Sequence, residues 1–496
     1  MIKFVDEFLN GITMYRLMLY FLIALLITAT VLSLLGVLPF DATSLLFSAA
    51  FLTLICWVTN TVFAKIFKAP TNLESVYITA LILALIITPI NNMSDLPFLS
   101  GAAVFAVASK YVLAINRKHI FNPAALGAVA SALVFSNGAS WWVGTTWMAG
   151  VVLLGGILIV KKIQRFSLVF SFLLTALVIT IGASFLKGND LILVARGVIL
   201  DAPLLFFAFV MLTEPQTTPP TKKWQIIYGS LIGLMFISPE IALLAGNIFS
   251  YIVSPKEKLL LKLKEKIQIA PDIYDFVFNL EKKFVFLPGQ YMEWTLGHKN
   301  PDNRGNRRYF TIAASPTEKN LRIGVKFYPN SSSFKKSLIS LTLGSKMMAG
   351  QLAGEFTLPK DPNKRLVFIA GGIGVTPYRS MIKYLLDLNQ RRDIILLYSN
   401  KLASDIVYKD IFDMASRNLG IKTIIVLTDT TNVPKGWKGK VGYIDAKVIK
   451  EEIPDYKDRI FYLSGPHSMV DSFVDTLKEM SVPGSQIKVD FFPGYV

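Results

Sequence analysis

Long apolar runs fill the first 254 residues, and short alternating ones take over beyond them. Runs near 16–37, 43–64, 75–91, 97–115, 122–136, 143–160, 166–186, 191–212, 224–238 and 240–253 read as membrane helices. A full crossing needs about 20 apolar residues, so the shorter runs predict tilted, broken or re-entrant segments. From 257 to 360 apolar and polar residues alternate with period two, as in DFVFNL, YMEWTL, RYFTIAA and LRIGVKF. Gly and Pro punctuate these strands, which predicts an antiparallel β-barrel. From 364 the rhythm becomes strand, helix, strand, beginning with RLVFIAGG. That order predicts a parallel, doubly wound α/β sheet. Three domains are expected: 1–254 in the membrane, 255–361 as a barrel, and 362–496 as a nucleotide-binding sheet.

Composition agrees with a divided chain. The hydrophobic fraction is 53% and the net charge +17. Lysine and arginine gather after alternate apolar runs: Lys65 and Lys68, Arg117 and Lys118, Lys161, Lys162 and Arg165, Lys222 and Lys223, Lys256 and Lys258. The intervening loops 38–42, 92–96, 137–142 and position 239 contain neither. Only the loop after the seventh run breaks the alternation, with Lys187 and Arg196 following it. By the positive-inside rule this predicts a multi-pass protein of the cell membrane with ten spans and both termini cytoplasmic. The charge has no aromatic-laced basic patch or groove-reading motif, so nucleic acid is not the expected partner.

Residue counts limit the redox chemistry. Cys56 is the one cysteine, so neither an internal disulfide nor a four-cysteine iron–sulfur cluster is expected. Of three histidines only His119 lies in the membrane half, too few for paired haem ligands. Two membrane segments carry unusual polarity. In NRKHIFNPAALG, Asn122 and Pro123 suit a helix N-terminus, a place that binds anions such as flavin phosphates. In DAPLLFFAFVMLTEPQTTPPTKK, Asp201 and Glu214 are costly in lipid and should face a protein interior.

These segments, with SVYITALILALIITP, resemble the NqrB/RnfD family over about 60–250. Its members are the flavin-carrying membrane proteins of the sodium-translocating NADH:quinone oxidoreductase and of the Rnf complex. The resemblance implies a ten-span fold of inverted repeats with a flavin site that includes Asn122, Pro123 and Asp201. In that family an FMN is esterified to a threonine. Here Ala202 stands in that place and cannot form the ester, so a non-covalent flavin (FMN or riboflavin) or a quinone is expected.

In the second half PGQY, RRYFT, GEF, AGGIGVTP, SGP and FFPGY follow one another in order. Together they resemble the ferredoxin–NADP⁺ reductase family over 257–496. The resemblance implies FAD and NAD(P)H as cofactors. It gives Arg308, Ser332 and Ser333 to the FAD phosphates, Tyr309 and Phe310 to the flavin ring edge, and Thr311 to the hydride-accepting N5. Gly371, Gly372, Gly374, Thr376 and Pro377 would hold the NAD(P)H pyrophosphate, with Thr376 as helix cap. Ser464, Gly465 and Pro466 would line the nicotinamide, and Tyr495 would shield the flavin. Arg307 reads as a solvated neighbour. Lys401, after the second parallel strand, could meet a 2′-phosphate, but a solvated loop lysine is the ordinary alternative.

The expected activity passes electrons from cytoplasmic NAD(P)H through FAD to a flavin or quinone in the membrane half. From there they reach a flavoprotein or quinone acceptor beyond the bilayer. Two alternatives stay open: a reductase acting wholly on the cytoplasmic side with a membrane anchor, and an ion-translocating redox pump.

Overall fold

The computed structural model describes residues 11–490 apart from 68–72, 116, 117, 202, 237, 255–257 and 303, together with Val5, Phe8 and Leu9. The chain forms two compact units, one ending at Lys258 and the other beginning at Leu259.

The first unit is helical. Its segments are α1 (Met14–Leu34), α2 (Ala42–Ile66), α3 (Leu73–Ile86), α4 (Leu96–Val112), α5 (Pro123–Phe135), α6 (Thr146–Ile163), α7 (Phe166–Leu186), α8 (Leu191–Leu200), α9 (Leu204–Met211), α10 (Lys222–Leu234) and α11 (Pro239–Val253). Each predicted apolar run therefore holds a helix, and the eighth run holds two, α8 and α9, bent by 52°. Among the described residues only α1, α2, α6 and α7 are long and apolar enough to cross a membrane, or five spans if α8 and α9 count as one. Helices α3, α5, α10 and α11 are shorter, at 13–15 residues. Residues Phe207–Met211 of α9 are wound as a π-helix and fully buried, a rare geometry that concentrates at functional sites. Lys110, near the end of α4, turns inward. Its ammonium donates to the Ser75 carbonyl, Ser75 Oγ and Thr79 Oγ1 at 2.8–3.1 Å.

The second unit has two sheets. The first is antiparallel and is built from β1 (Leu259–Ala270), β2 (Ile273–Asn279), β3 (Tyr291–Thr295), β4 (Arg307–Thr311), β5 (Asn320–Lys326) and β6 (Lys346–Ala353), with α12 (Ser333–Ile339) beside it. The spatial order is β4-β3-β6-β1-β2-β5. No ladder joins the end strands β4 and β5, although the Ala313 amide donates to the Arg322 carbonyl at 2.8 Å across that gap. Alternation buries Leu261, Leu263, Phe276, Phe278, Met292, Trp294, Phe310, Leu321, Ile323 and Val325 in one core.

The second sheet is parallel: β7 (Leu366–Gly371), β8 (Ile394–Asn400), β9 (Lys422–Leu427), β10 (Lys440–Val441), β11 (Ile460–Ser464) and β12 (Ile487–Val489). Helices α13 (Thr376–Asp387), α14 (Lys409–Leu419), α15 (Ala446–Glu452) and α16 (His467–Glu479) connect them. All six residues of β7 are buried. Leu366, Phe368 and Ala370 enter one core while Val367 and Ile369 enter the other. Such a continuous apolar strand is what a sheet covered on both faces requires. The order β10-β9-β8-β7-β11-β12 reverses between β7 and β11. A reversal of this kind opens a crevice at the carboxyl ends of the two strands, where ligands bind in open α/β sheets.

Candidate functional site

Both glycine motifs meet in that crevice. The chain leaves β7 through a tight turn at Gly372–Val375 and enters α13. A Cβ on Gly374 would lie 2.6 Å from Gly465 Cα and 2.6 Å from the Ser464 carbonyl, so only glycine lets AGGIG and SGP touch backbone to backbone. Gly372 has φ +52°, which favours glycine as well. The glycine turn and the N-terminus of α13 then border the opening, an arrangement suited to a pyrophosphate. Thr376 is the first helical residue and not the cap. Val375 holds the cap position, and Thr376 Oγ1 donates back to the Ile373 carbonyl at 3.2 Å. Pro377 follows it in the first turn. Pro466 takes the cap position of α16.

Ser464 ends β11, and its hydroxyl donates to Asp490 Oδ2 at 3.0 Å. The other carboxylate oxygen, Oδ1, is sealed from solvent with no hydrogen-bond partner among the described residues. Burial raises the Asp490 carboxyl to about 7, against a smaller opposing effect of the Ser464 bond. Asp490 thus carries a proton into the neutral range beside Ser464 in the crevice. The motifs in the sequence do not mark it. Its only signal is an acid placed next to the last parallel strand. Tyr495 lies outside the described residues.

Strand β4 presents two faces. Arg308 is 1% exposed. Its Nη1 donates to the carbonyls of Arg304 and Arg307 at 2.7 and 2.6 Å, and its guanidinium lies 5.1 Å over the Phe334 ring. Lys335 lies beside it on α12. Burial, then the Arg308 and Arg304 charges, push the Lys335 ammonium down to about 8. Three cations therefore converge at the start of α12, where Asp302 Oδ2 pairs with Arg304 at 3.0 Å, and the two remaining charges suit an anionic diphosphate. Ser332 caps this helix, accepting from the Lys335 amide at 3.3 Å. Ser333 Oγ accepts from the Asp302 amide at 2.9 Å and lies 3.0 Å from His298 Nε2.

The period of two sends Tyr309 to the opposite face from Arg308. Tyr309 Oη donates to Glu293 Oε2 at 3.0 Å, Arg307 Nη1 donates to Glu293 Oε1 at 3.3 Å, and Tyr291 meets the Tyr309 ring edge-on at 5.7 Å. Arg307 is thus part of the Tyr309 face rather than a solvated neighbour. Phe310, expected at the flavin, packs instead into the sheet core against Phe334. Thr311 is buried at the end of β4, paired with Tyr291.

In the helical unit the expected residues separate. Asn122 caps α5, its Oδ1 accepting from the Ala125 amide at 3.1 Å, with Pro123 in the first turn. The Asn122 amide donates to Asn247 Oδ1 at 2.7 Å, and Asn247 Nδ2 donates to Tyr228 Oη at 3.0 Å. Nearby, His119 Nε2 lies 3.4 Å from Glu214 Oε1, which is held on its other oxygen by Thr217 Oγ1 at 3.0 Å. Asp201 belongs elsewhere. It caps α6, accepting from the Thr146 amide at 3.0 Å and from the Thr146 hydroxyl. Ala202 lies outside the described residues.

Two family models match the chain. Residues 143–241 match the NQR2, RnfD, RnfE family, and residues 368–475 match the oxidoreductase NAD-binding domain. The protein thus joins an NQR2/RnfD/RnfE-type helical region to an oxidoreductase NAD-binding module. Curated relatives include a flavohemoprotein of Oceanobacillus iheyensis, 26% identical over 47% of this chain and 58% of its own. Another is NADH-cytochrome b5 reductase 1 of Mortierella alpina, 27% identical over 44% of this chain and 74% of its own. The chain therefore spans less than two thirds of the flavohemoprotein's length. The cytochrome b5 reductase domain of Ulva prolifera nitrate reductase is 24% identical, with a TM-score of 0.42, over 48% of this chain and 98% of that one.

Proposed function

We propose that this protein is a membrane-bound NAD(P)H-dependent flavoprotein oxidoreductase that delivers electrons from the cytoplasm into its helical half. The observation that carries the reading is the crevice where the backbones of Gly374 and Gly465 touch beside Ser464 and Asp490. The glycine turn at Gly372–Val375 holds the NAD(P)H pyrophosphate. Ser464, held by Asp490, orients the nicotinamide. Arg308 and Lys335 neutralise the FAD pyrophosphate, while Tyr309 and Thr311 lie along the flavin ring. The FAD that these residues would hold would supply hydride acceptance from the nicotinamide and release of electrons one at a time. The names of the relatives support a pyridine-nucleotide reductase.

In the helical half the reading is ten spans, both termini cytoplasmic, and a non-covalent FMN or riboflavin, or a quinone, near Asn122 and Pro123. The soluble strands close as a barrel. Electrons leave to a flavoprotein or quinone acceptor. Purified full-length protein in detergent, precipitated with acid, should release FAD and a second flavin, and before precipitation it should oxidise NAD(P)H with an artificial acceptor. Protein that carries no flavin and leaves NAD(P)H untouched overturns the reading.

A further inference from the structure

The helix that starts at the glycine loop is fastened to the segment that leaves the flavin strand. Arg379 and Ser380 lie one turn into α13. Arg379 is 4% exposed. Its Nη1 donates to the Ala313 carbonyl at 2.6 Å and to Glu318 Oε2 at 2.7 Å, and its Nη2 donates to Glu318 Oε1 at 3.0 Å. Ser380 Oγ donates to the Ala314 carbonyl at 2.6 Å. Ala313 and Ala314 come directly after Thr311 and Ile312 in the chain.

The second nucleotide-side loop, after β8, is fastened to the same sheet. Tyr408 Oη donates to Asp275 Oδ1 on β2, and Asp275 Oδ2 accepts from Arg322 Nη1 at 2.6 Å. The Arg379 guanidinium lies 5.4 Å over the Tyr408 ring, so the two fastenings share a member. Tyr408 adopts φ +58°, a left-handed backbone that a bulky residue keeps only where its surroundings over-determine it. Lys326 and Asp405 add an outer ion pair at 3.5 Å.

Adhesion alone does not call for this chemistry. Apolar packing holds two layers together at least as well as a buried ion pair, whose desolvation offsets most of its attraction. What a bidentate arginine–carboxylate pair adds is direction. Here the direction is fixed between Thr376 on the dinucleotide side and Thr311 on the flavin side. A displacement of about 1 Å between reacting groups can cost on the order of 100-fold in rate.

We propose that Arg379, through Glu318, Ala313 and Tyr408, is a positioning residue that sets the spacing between nicotinamide and flavin. The proposal rests on reading residues 259–490 as an NAD(P)H–flavin reductase.

The test uses full-length protein in detergent, as wild type, Arg379→Gln, Arg379→Lys and Glu318→Gln. Rapid mixing with NADH or NADPH gives the flavin reduction rate, the nucleotide Kd and the long-wavelength charge-transfer absorbance. Hydrogen exchange gives the protection of residues 313–318. In both glutamine variants we expect flavin reduction to slow by ~10–100-fold, nucleotide Kd to change by less than about threefold, and the charge-transfer band to weaken. Amides at 313–318 should exchange faster, and Arg379→Lys should recover part of each effect. Glu318→Gln carries the same test if Arg379→Gln fails to fold. A purely structural role predicts loss of rate in step with loss of flavin, restored by added FAD with a normal charge-transfer band, and that result overturns the proposal. So do variants with unchanged rate and band. A wild type that does not oxidise NAD(P)H removes the functional reading and the proposal together. An active wild type with indifferent variants removes the proposal alone.

Discussion

Asp490 keeps its proton because folding strips water from the carboxyl, and its Oδ1 has no partner among the described residues. Unfolded, an aspartate titrates near about 3.9; here it titrates at about 7. Between those values the folded state binds more protons than the unfolded one. The stability from this group is therefore fully present below about pH 4 and is lost as pH rises through about 7. Asp490→Asn should flatten the fall in Tm across that window. It should also remove a transition with a midpoint near 7 from the pH dependence of flavin reduction. A variant that keeps both slopes assigns them to another group. The residue shows where motif reading stops: FFPGY draws the eye to Tyr495, whereas the burial that tunes Asp490 arises only once β11 and β12 lie side by side.

At the level of elements, whatever rests on period was legible and whatever rests on pairing was not. The apolar runs locate every helix of the first unit, and the alternation locates β2 to β5. The same alternation, applied within RRYFT, already separates Arg308 from Tyr309. A motif read as a string conceals that. Hydrogen bonds between distant segments leave no periodic trace. Asn247 is the clearest case. It lies in the middle of an apolar helix, yet it is fully buried and ties the Asn122 amide of α5 to Tyr228 of α10. Asn247→Leu removes the shared partner and leaves a buried amide unsatisfied, a cost of about 1–3 kcal/mol. Thermal unfolding in detergent should shift downward, and Asn247→Asp should recover part of the loss by still accepting from the Asn122 amide. Unchanged unfolding in Asn247→Leu shows that the contact contributes nothing measurable.

For the whole molecule, the charge pattern and the helix lengths bear on the same question from different sides. Four helices are long and apolar enough to cross alone, and the remainder are short, so counting lengths leaves the number of crossings at four or five. The alternation of lysine and arginine between loops demands more, because each change of side needs a crossing between it and the next. Short segments reconcile the two if they cross while packed inside the protein, where neighbouring helices and not lipid satisfy their ends. The backbones do pack that closely: a Cβ on Gly127 of α5 would lie 2.4 Å from the Ala102 carbonyl of α4. Sidedness is measurable because Cys56, the one native cysteine, is fully buried and should give little background labelling. Cysteine introduced at exposed Asn137 should react with a membrane-impermeant maleimide added to intact cells, and cysteine at exposed Lys223 should react only in inverted vesicles. The two positions are separated by α6, α7, α8 with α9, and the turn before α10. Opposite labelling therefore requires an odd number of crossings between them, and the three apolar runs at 143–160, 166–186 and 191–212 supply three. Labelling from the same side would mean that one of these runs turns back, most simply the bent pair α8 and α9. The charge rule would then be wrong for this half of the chain.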